Sequence, residues 1–236
     1  MATRSRIRPG DVISHARMCD AEGIMLQHGM NYRPGGRTSI LLMSVRRGAP
    51  YEDQTLDEGR VLIYEGHDIA RTRGGPDPKS VDQPMHLPRG RLTRNGRFFE
   101  AAQAVKRGKV AVELVKVYEK IRAGIWVYNG VFRLVDAWQE RSHGRSVFKF
   151  KLEVHEGAAP TDSASPRDLP HNRMIPTAVK LEVWKRDGGR CVKCGSTKNL
   201  HFDHDVPFSK GGTSLTAANI QLLCAKHNIQ KRDKIQ

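Results

Sequence analysis

Apolar residues recur in short runs over the first two thirds of the chain. Residues 40–45 (ILLMSV) and 61–64 (VLIY) have the length of buried strands. Residues 110–118 alternate at first and then turn apolar on both faces, again as a strand would. Residues 146–154 alternate cleanly: Phe148, Phe150, Leu152 and Val154 share one face, and Lys149, Lys151 and Glu153 the other, the pattern of a half-buried strand. Residues 125–128 and 131–138 are two further strand candidates separated by Asn129-Gly130. Both of those residues tolerate positive φ, so the pair predicts a hairpin turn. Helical spacing occurs twice, over residues 14–21 and after Asn95 as a cap, where Phe98, Phe99, Ala102 and Val105 recur on one face. Residues 71–88 are rich in Gly and Pro and long for an ordered connection, and such stretches are usually functional or disordered. No internal repeat is visible. The whole reads as a strand-rich domain of mixed α and β structure.

The pattern breaks at residues 157–172 (GAAPTDSASPRDLPHN), which hold three prolines and a single large aliphatic residue, Leu169. This is linker composition: proline stiffens it, and its small polar residues have no core to join. The expected division is therefore a domain over 1–156, a linker over 157–172 and a second domain over 173–236, within what 236 residues allow. No run of about 18 apolar residues exists, so no membrane span is expected. Residues 1–11 are basic without an apolar core, so no secretory signal is read and a cytoplasmic location is expected. Four cysteines are too few for a disulfide scaffold. Charge changes the picture more. The formal net charge of +15 divides as +9, −1 and +7 over the three segments. Both domains can then grip one polyanion, nucleic acid before others, against the plainer reading of a soluble basic protein.

The sharpest chemistry lies in the C-terminal segment. Cys191-Val-Lys-Cys194 is followed by Cys224-Ala-Lys-His227, two pairs whose spacing lets both members reach one ion from a tight turn. Four soft ligands predict a structural zinc; a redox C-x-x-C would leave the second pair unexplained. Cys19 stands alone and reads as a small core residue. Between the pairs lies His201-Phe-Asp-His-Asp205, with Asn219, Asn228 and Lys231 further on. A neutral imidazole beside carboxylates can take a proton from water near pH 7. A hard carboxylate oxygen suits Mg²⁺ or Mn²⁺. A surface Asp-His-Asp turn without a role is the alternative.

The order C-x-x-C, Asp-His-x-x-Pro with a Gly-Gly turn, Asn, then C-x-x-His-Asn-x-x-Lys resembles the HNH nucleases of the ββα-metal fold, over about residues 175–234. The resemblance implies His204 as the general base and Asp203 and Asn228 as holders of a catalytic divalent ion. It implies Asn219 as the residue that orients the His-bearing loop. His227 stands where Cys is commoner, and Asn228 where the family name has His. His201 and Asp205 read as groups flanking the site.

In the N-terminal segment, Tyr51-Glu52-Asp53-Gln54 and Tyr64-Glu65-Gly66 close two neighbouring strands. Two tyrosines there can sandwich a planar base while a carboxylate accepts from an exocyclic amine; the alternative is two core-edge tyrosines with wet hydroxyls. Pro9-Gly10-Asp11, His28-Gly29, the ILLMSV strand, Gly48-x-x-Tyr51-Glu52-Asp53, Tyr64-x-Gly66 and Tyr128-Asn129-Gly130 together resemble the SRA (YDG) domain over about residues 8–155. That resemblance implies a flipped 5-methylcytosine held by Tyr51 and Tyr64 and read by Asp53, with Gln54 as the fallback. Arg46, Arg47, Arg71 and Arg73 are candidate phosphate contacts.

The two resemblances together imply an α+β protein, with an SRA/PUA-like twisted β-barrel-type domain and flanking helices joined to a zinc-stapled ββα-metal domain. The implied activity is a modification-dependent endonuclease acting on double-stranded DNA that carries 5-methyl- or 5-hydroxymethylcytosine. One active site per chain cuts one strand, so a homodimer or two successive nicks would complete a double-strand break. The rivals are an inactive zinc-containing reader of modified DNA and an HNH nuclease without modification dependence.

Overall fold

The computed structural model describes residues 7–46, 48–155, 174–207 and 210–231; the predicted linker and Arg47 lie outside them. Eight strands form one mixed sheet: β1 (Val12–Ile13), β2 (Met30–Asn31), β3 (Ser39–Met43), β4 (Gln54–Leu56), β5 (Val61–Glu65), β6 (Glu113–Arg122), β7 (Ile125–Ser142) and β8 (Arg145–Val154). Their order is β2-β3-β6-β7-β8-β5-β4, with β1 also on β7. β3 runs parallel to β6, and the other pairings are antiparallel. β2 and β4 end the path and do not pair with each other among the described residues.

Helix α1 (His15–Glu22) starts where the Ser14 side chain accepts from the Arg17 N–H, and stops at Gly23 in the left-handed region. Helix α2 (Arg94–Lys106) is capped by Thr93, whose side chain accepts from the Gly96 N–H. The sequence pattern points to Asn95 as that cap. Asn95 is instead buried in the first turn, where its amide accepts from the His67 N–H and donates to the His67 carbonyl, both at 2.8 Å.

A larger difference concerns Asn129-Gly130. No turn occurs there: β7 runs unbroken through both residues, and Gly130 adopts φ 97° inside the strand, next to a register shift in the β6–β7 ladder. The positive φ that marks a hairpin from sequence serves an irregularity in a long strand. The chain reverses instead between β6 and β7 and between β7 and β8, where Gly124 and Gly144 take positive φ.

The C-terminal residues form helix α3 (Thr177–Arg186), the antiparallel hairpin of β9 (Leu200–His204) and β10 (Ile220–Cys224), and helix α4 (Ala225–Lys231). Their apolar core includes Val179, Val183, Leu200, Phe202, Ile220 and Leu222, and it is completed by Ile121 and Val127 from β6 and β7. Met174 in turn enters the main core of the large sheet, with Leu62, Phe132, Phe150 and Leu152. The two halves thus share apolar packing. Among the described residues no helix is long and apolar enough to cross a membrane.

Candidate functional site

The four predicted soft ligands converge. Cys191, Cys194, Cys224 and His227 offer atoms that all lie within 4.8 Å of one another. Cys194 Sγ is 3.9 Å from Cys224 Sγ, and His227 Nδ1 is 3.3 Å from Cys191 Sγ and 3.4 Å from Cys224 Sγ. A zinc tetrahedron with Zn–S near 2.3 Å and Zn–N near 2.0–2.1 Å requires ligand separations of about 3.5–3.8 Å, so the donor set fits that ion. Burial raises the Cys191 thiol, but the backbone N–H groups of Cys224, Lys193 and Cys194, with His227, outweigh it and bring it to about 6. A zinc ligand must be a thiolate, and this surrounding favours one.

The β9–β10 hairpin carries the second cluster. Asp203 and His204 end β9, and Asn228 lies one helical turn before Lys231 on α4, on the same helix face. Lys231 is buried and donates to Asp203 Oδ2 at 2.6 Å and to the His204 carbonyl. Asp203 is 20 % exposed. His204 Nε2 is 2.8 Å from Ser214 Oγ. Burial lowers the His204 pKa, with Asp203 pulling the other way, so its imidazole is neutral near pH 7.

Asn219 clamps the intervening loop. Its Oδ1 accepts from the Val206 N–H at 2.8 Å, and its Nδ2 donates to the carbonyls of Val206 and Thr213 at 3.1 and 2.9 Å. Gly212 makes that closure possible, since a Cβ there would meet the Val206 oxygen at 1.8 Å. His201, expected beside the site, points to the other half of the molecule and pairs with Asp11 at 3.0 Å. Asp205 accepts from the Gln221 side chain. Ser214 escapes sequence reasoning, because a serine after a Gly-Gly turn carries no signal until the loop folds back onto His204.

In the large sheet, a cavity of about 570 Å³ is bordered by Tyr51, Asp53, His28, His67, Lys120 and Trp126, among others. Arg46 also borders it, whereas Arg71 pairs with Asp77 at 3.3 Å and Arg73 is exposed. Asp53 is buried, and its two oxygens accept from the N–H groups of Ser44 and Glu65, both at 3.0 Å. Burial is the larger influence and raises its pKa to about 7. Gln54 begins β4, is exposed and does not border the cavity.

Tyr51 and Tyr64, expected as two facing rings, are placed differently. The Tyr51 ring stacks on His67 at 5.0 Å and 6°, and the Lys79 ammonium stands 4.2 Å from its centre. Tyr64 is 1 % exposed, in the main core, and is no wall of the cavity. It shares the inward face of β5 with Leu62, two residues before it. Its hydroxyl is 3.0 Å from His67 Nε2, so it reaches the cavity through His67. Burial, then Arg94, lowers the His67 pKa to about 4, leaving a neutral ring. Gly29 makes its seat: a Cβ there would lie 2.5 Å from His67 Nε2. A lone histidine three residues past a tyrosine carries no sequence signal of this contact.

Residues 191–234 match the family model of HNH endonucleases. The chain is also similar to two histone-lysine N-methyltransferase family members of Arabidopsis thaliana. SUVH9 is 29 % identical over 144 residues, 58 % of this chain and 20 % of that protein. SUVH2 is 30 % identical over 131 residues, 55 % of this chain and 18 % of that protein. The chain therefore spans about one fifth of the length of these relatives. Among solved structures, it is similar to the SUVH5 SRA domain in complex with fully methylated CG DNA, at 26 % identity and a TM-score of 0.45, over 66 % of this chain and 95 % of that one. The same domain with hemi-methylated CG DNA gives 25 % identity and a TM-score of 0.46, over 68 % of this chain and 97 % of that one. The chain is thus similar to an SRA domain and matches the HNH endonuclease model over residues 191–234.

Proposed function

We propose that this protein is a modification-dependent DNA endonuclease. It recognises 5-methyl- or 5-hydroxymethylcytosine flipped out of a duplex and hydrolyses nearby phosphodiester bonds. The observation that carries the reading is the neutral His204 held beside Asp203 at the start of an Asn219-clamped loop, in the same molecule as a cavity bordered by Tyr51 and Asp53. His204 Nε2 lies 2.8 Å from Ser214 Oγ; in the tautomer that donates from Nε2–H to that hydroxyl, the Nδ1 lone pair would take the proton from water. Asp203 and Asn228 would hold a divalent cation, Mg²⁺ or Mn²⁺, which supplies charge neutralisation at the scissile phosphate. Lys231 steadies the Asp203 carboxylate and the His204 backbone together.

In the reader half, the flipped base would take the place of the Lys79 ammonium over the Tyr51 ring, and the Asp53 carboxylate would accept from the exocyclic amine. Tyr64 acts from behind, by holding His67. Cys191, Cys194, Cys224 and His227 would hold a structural zinc that ties the hairpin to α4. A homodimer would pair two such sites for a double-strand break, and a cytoplasmic role in restricting modified foreign DNA fits the reading.

Incubation of matched plasmids carrying cytosine, 5-methylcytosine or 5-hydroxymethylcytosine with Mg²⁺ or Mn²⁺ tests it. Cutting is expected only of modified plasmids, and His204→Ala should lower it by about 10²–10⁴-fold while binding persists. No cutting at any metal concentration would leave an inactive reader, and equal cutting of all three would leave a nuclease without modification dependence.

A further inference from the structure

Lys180 of α3 is a charged residue in the cutting half, yet only 1 % of its side chain is exposed. It donates to Glu119 Oε2 at 2.6 Å and to Asn129 Oδ1 at 2.7 Å, both in the reader half. Asn129 Nδ2 donates to the same Glu119 oxygen at 3.0 Å, and Thr177 Oγ1 donates to the other. Glu119 is completely buried. Burial raises its pKa, but Lys180 and these donors outweigh that and hold it below the usual carboxylate range. The neutral Asn129 amide contributes one donor and one acceptor, so a single carboxylate faces a single ammonium. Among the described residues no buried side-chain polar atom is left without a partner.

Such a cluster is costly to assemble unless its geometry is complete, and it tolerates one arrangement of the surrounding elements. Apolar packing surrounds it: Ile121 and Val127 of the same two strands sit in the core of the cutting half with Val179 and Val183. A second contact lies at a distance along the interface, where His201 Nδ1 meets Asp11 Oδ1 and the Phe202 N–H donates to the Gly10 carbonyl at 3.0 Å. The strands that carry the cluster also border the base cavity. Successive side chains of a strand point to opposite faces, and Lys120, next to Glu119, and Trp126, next to Val127, border that cavity. One strand pair therefore offers the base pocket on one face and the seat of the nuclease half on the other.

We infer that Glu119, Asn129 and Lys180 are positioning residues that lock the two halves into one body, so that the distance from the flipped base to the cut phosphodiester is set by the fold. This rests on the nuclease reading above, which it deepens. The prediction is a narrow cut register. A duplex with a single 5-methylcytosine, end-labelled on each strand and incubated with the full-length protein and Mg²⁺ or Mn²⁺, should be cut at one or two adjacent positions.

The double variant Glu119→Gln/Lys180→Met removes the charge pair without leaving a lone buried charge. It should bind the duplex within about threefold of the parent affinity, a free-energy change well under the 1.4 kcal/mol of a tenfold change, yet spread its cuts over many positions. Amide hydrogen exchange reads the docking without cutting: residues 119–129 and 177–183 should be protected in the parent and exchange at least tenfold faster in the double variant. Scattered cutting by the parent, or an unchanged register in the variant, overturns the inference and leaves the nuclease reading standing. Fast exchange of both segments in the parent overturns it whatever the cutting. A parent that cuts nothing overturns the nuclease reading and the register with it.

Discussion

The two halves of the molecule reach stability by different routes. The N-terminal half closes a large core between strands far apart in the chain: β3 lies beside β6, and β5 beside β8. The C-terminal half has, among its described residues, one hairpin and two α-helices over about sixty residues, too few to bury a generous core alone. It is completed by Ile121 and Val127 of its neighbour, and it carries the cluster of four candidate zinc ligands. Where a core is large, site residues are placed by long-range packing; where it is small, local ligand spacing does the placing. That is why the Asp203–His204 cluster lies close to its motif, whereas the cavity beside Tyr51 rearranges its expected tyrosines.

The largest test of this contrast is removal of the metal. Structural zinc contributes on the order of 10 kcal/mol, so a strong chelator, or Cys194→Ser, should unfold residues 174–231 while the eight-stranded sheet survives. Calorimetry should resolve an early transition from a later one. A single transition for both halves would show that the shared packing outweighs the staple.

Next in size is the response of the reader half to pH. Asp53 titrates near 7 in the fold, well above the ordinary value of about 3.9. The folded state therefore keeps a proton that the unfolded chain releases, and stability falls as pH rises through that window. It is fully present below about pH 4 and lost above about pH 7, a difference of about 4 kcal/mol. Urea midpoints at pH 5 and pH 8 should show it, and Asp53→Asn should flatten the slope; an equal slope in that variant would reject the assignment.

Ile121→Ala probes the borrowed core. A buried Ile-to-Ala change costs about 2–5 kcal/mol, and here the loss should appear in the melting of the cutting half, though the residue belongs to β6. Loss confined to the sheet would mean that the halves do not share that core.

The smallest effect is expected at the cavity. Tyr51→Ala should weaken binding to a 5-methylcytosine duplex by roughly the 1–3 kcal/mol of one base–aromatic stack, with little change for unmodified DNA. Titrations by fluorescence anisotropy at fixed salt measure both, and equal losses would remove Tyr51 from base recognition.

Much of the secondary structure was legible from alternation alone. The 146–154 pattern corresponds to β8, and Ser14 marks the start of α1. Asn95 and Asn129-Gly130 were misread for a shared reason: each carries a strong local signal, for a cap and for a turn, that a tertiary contact claims instead. Asn95 holds the His67 backbone, and Asn129 receives Lys180 from a helix 51 positions further along the chain. His67 and Ser214 carried no local signal, because each gains its place only when a loop folds onto a partner.

By itself, the sequence determined what depends on near neighbours: the spacing of the soft ligands, the order of Asp203, His204, Asn219 and Asn228, and the alternation that builds strands. These follow from short chain segments whose geometry is nearly set by bond lengths and turns. The tertiary structure alone decided that Tyr64 lies behind His67, that His201 turns to Asp11, and that Lys180 is buried against Glu119. Those outcomes require groups distant in sequence to find partners once water is excluded, and a buried charge or ring takes whichever seat satisfies it.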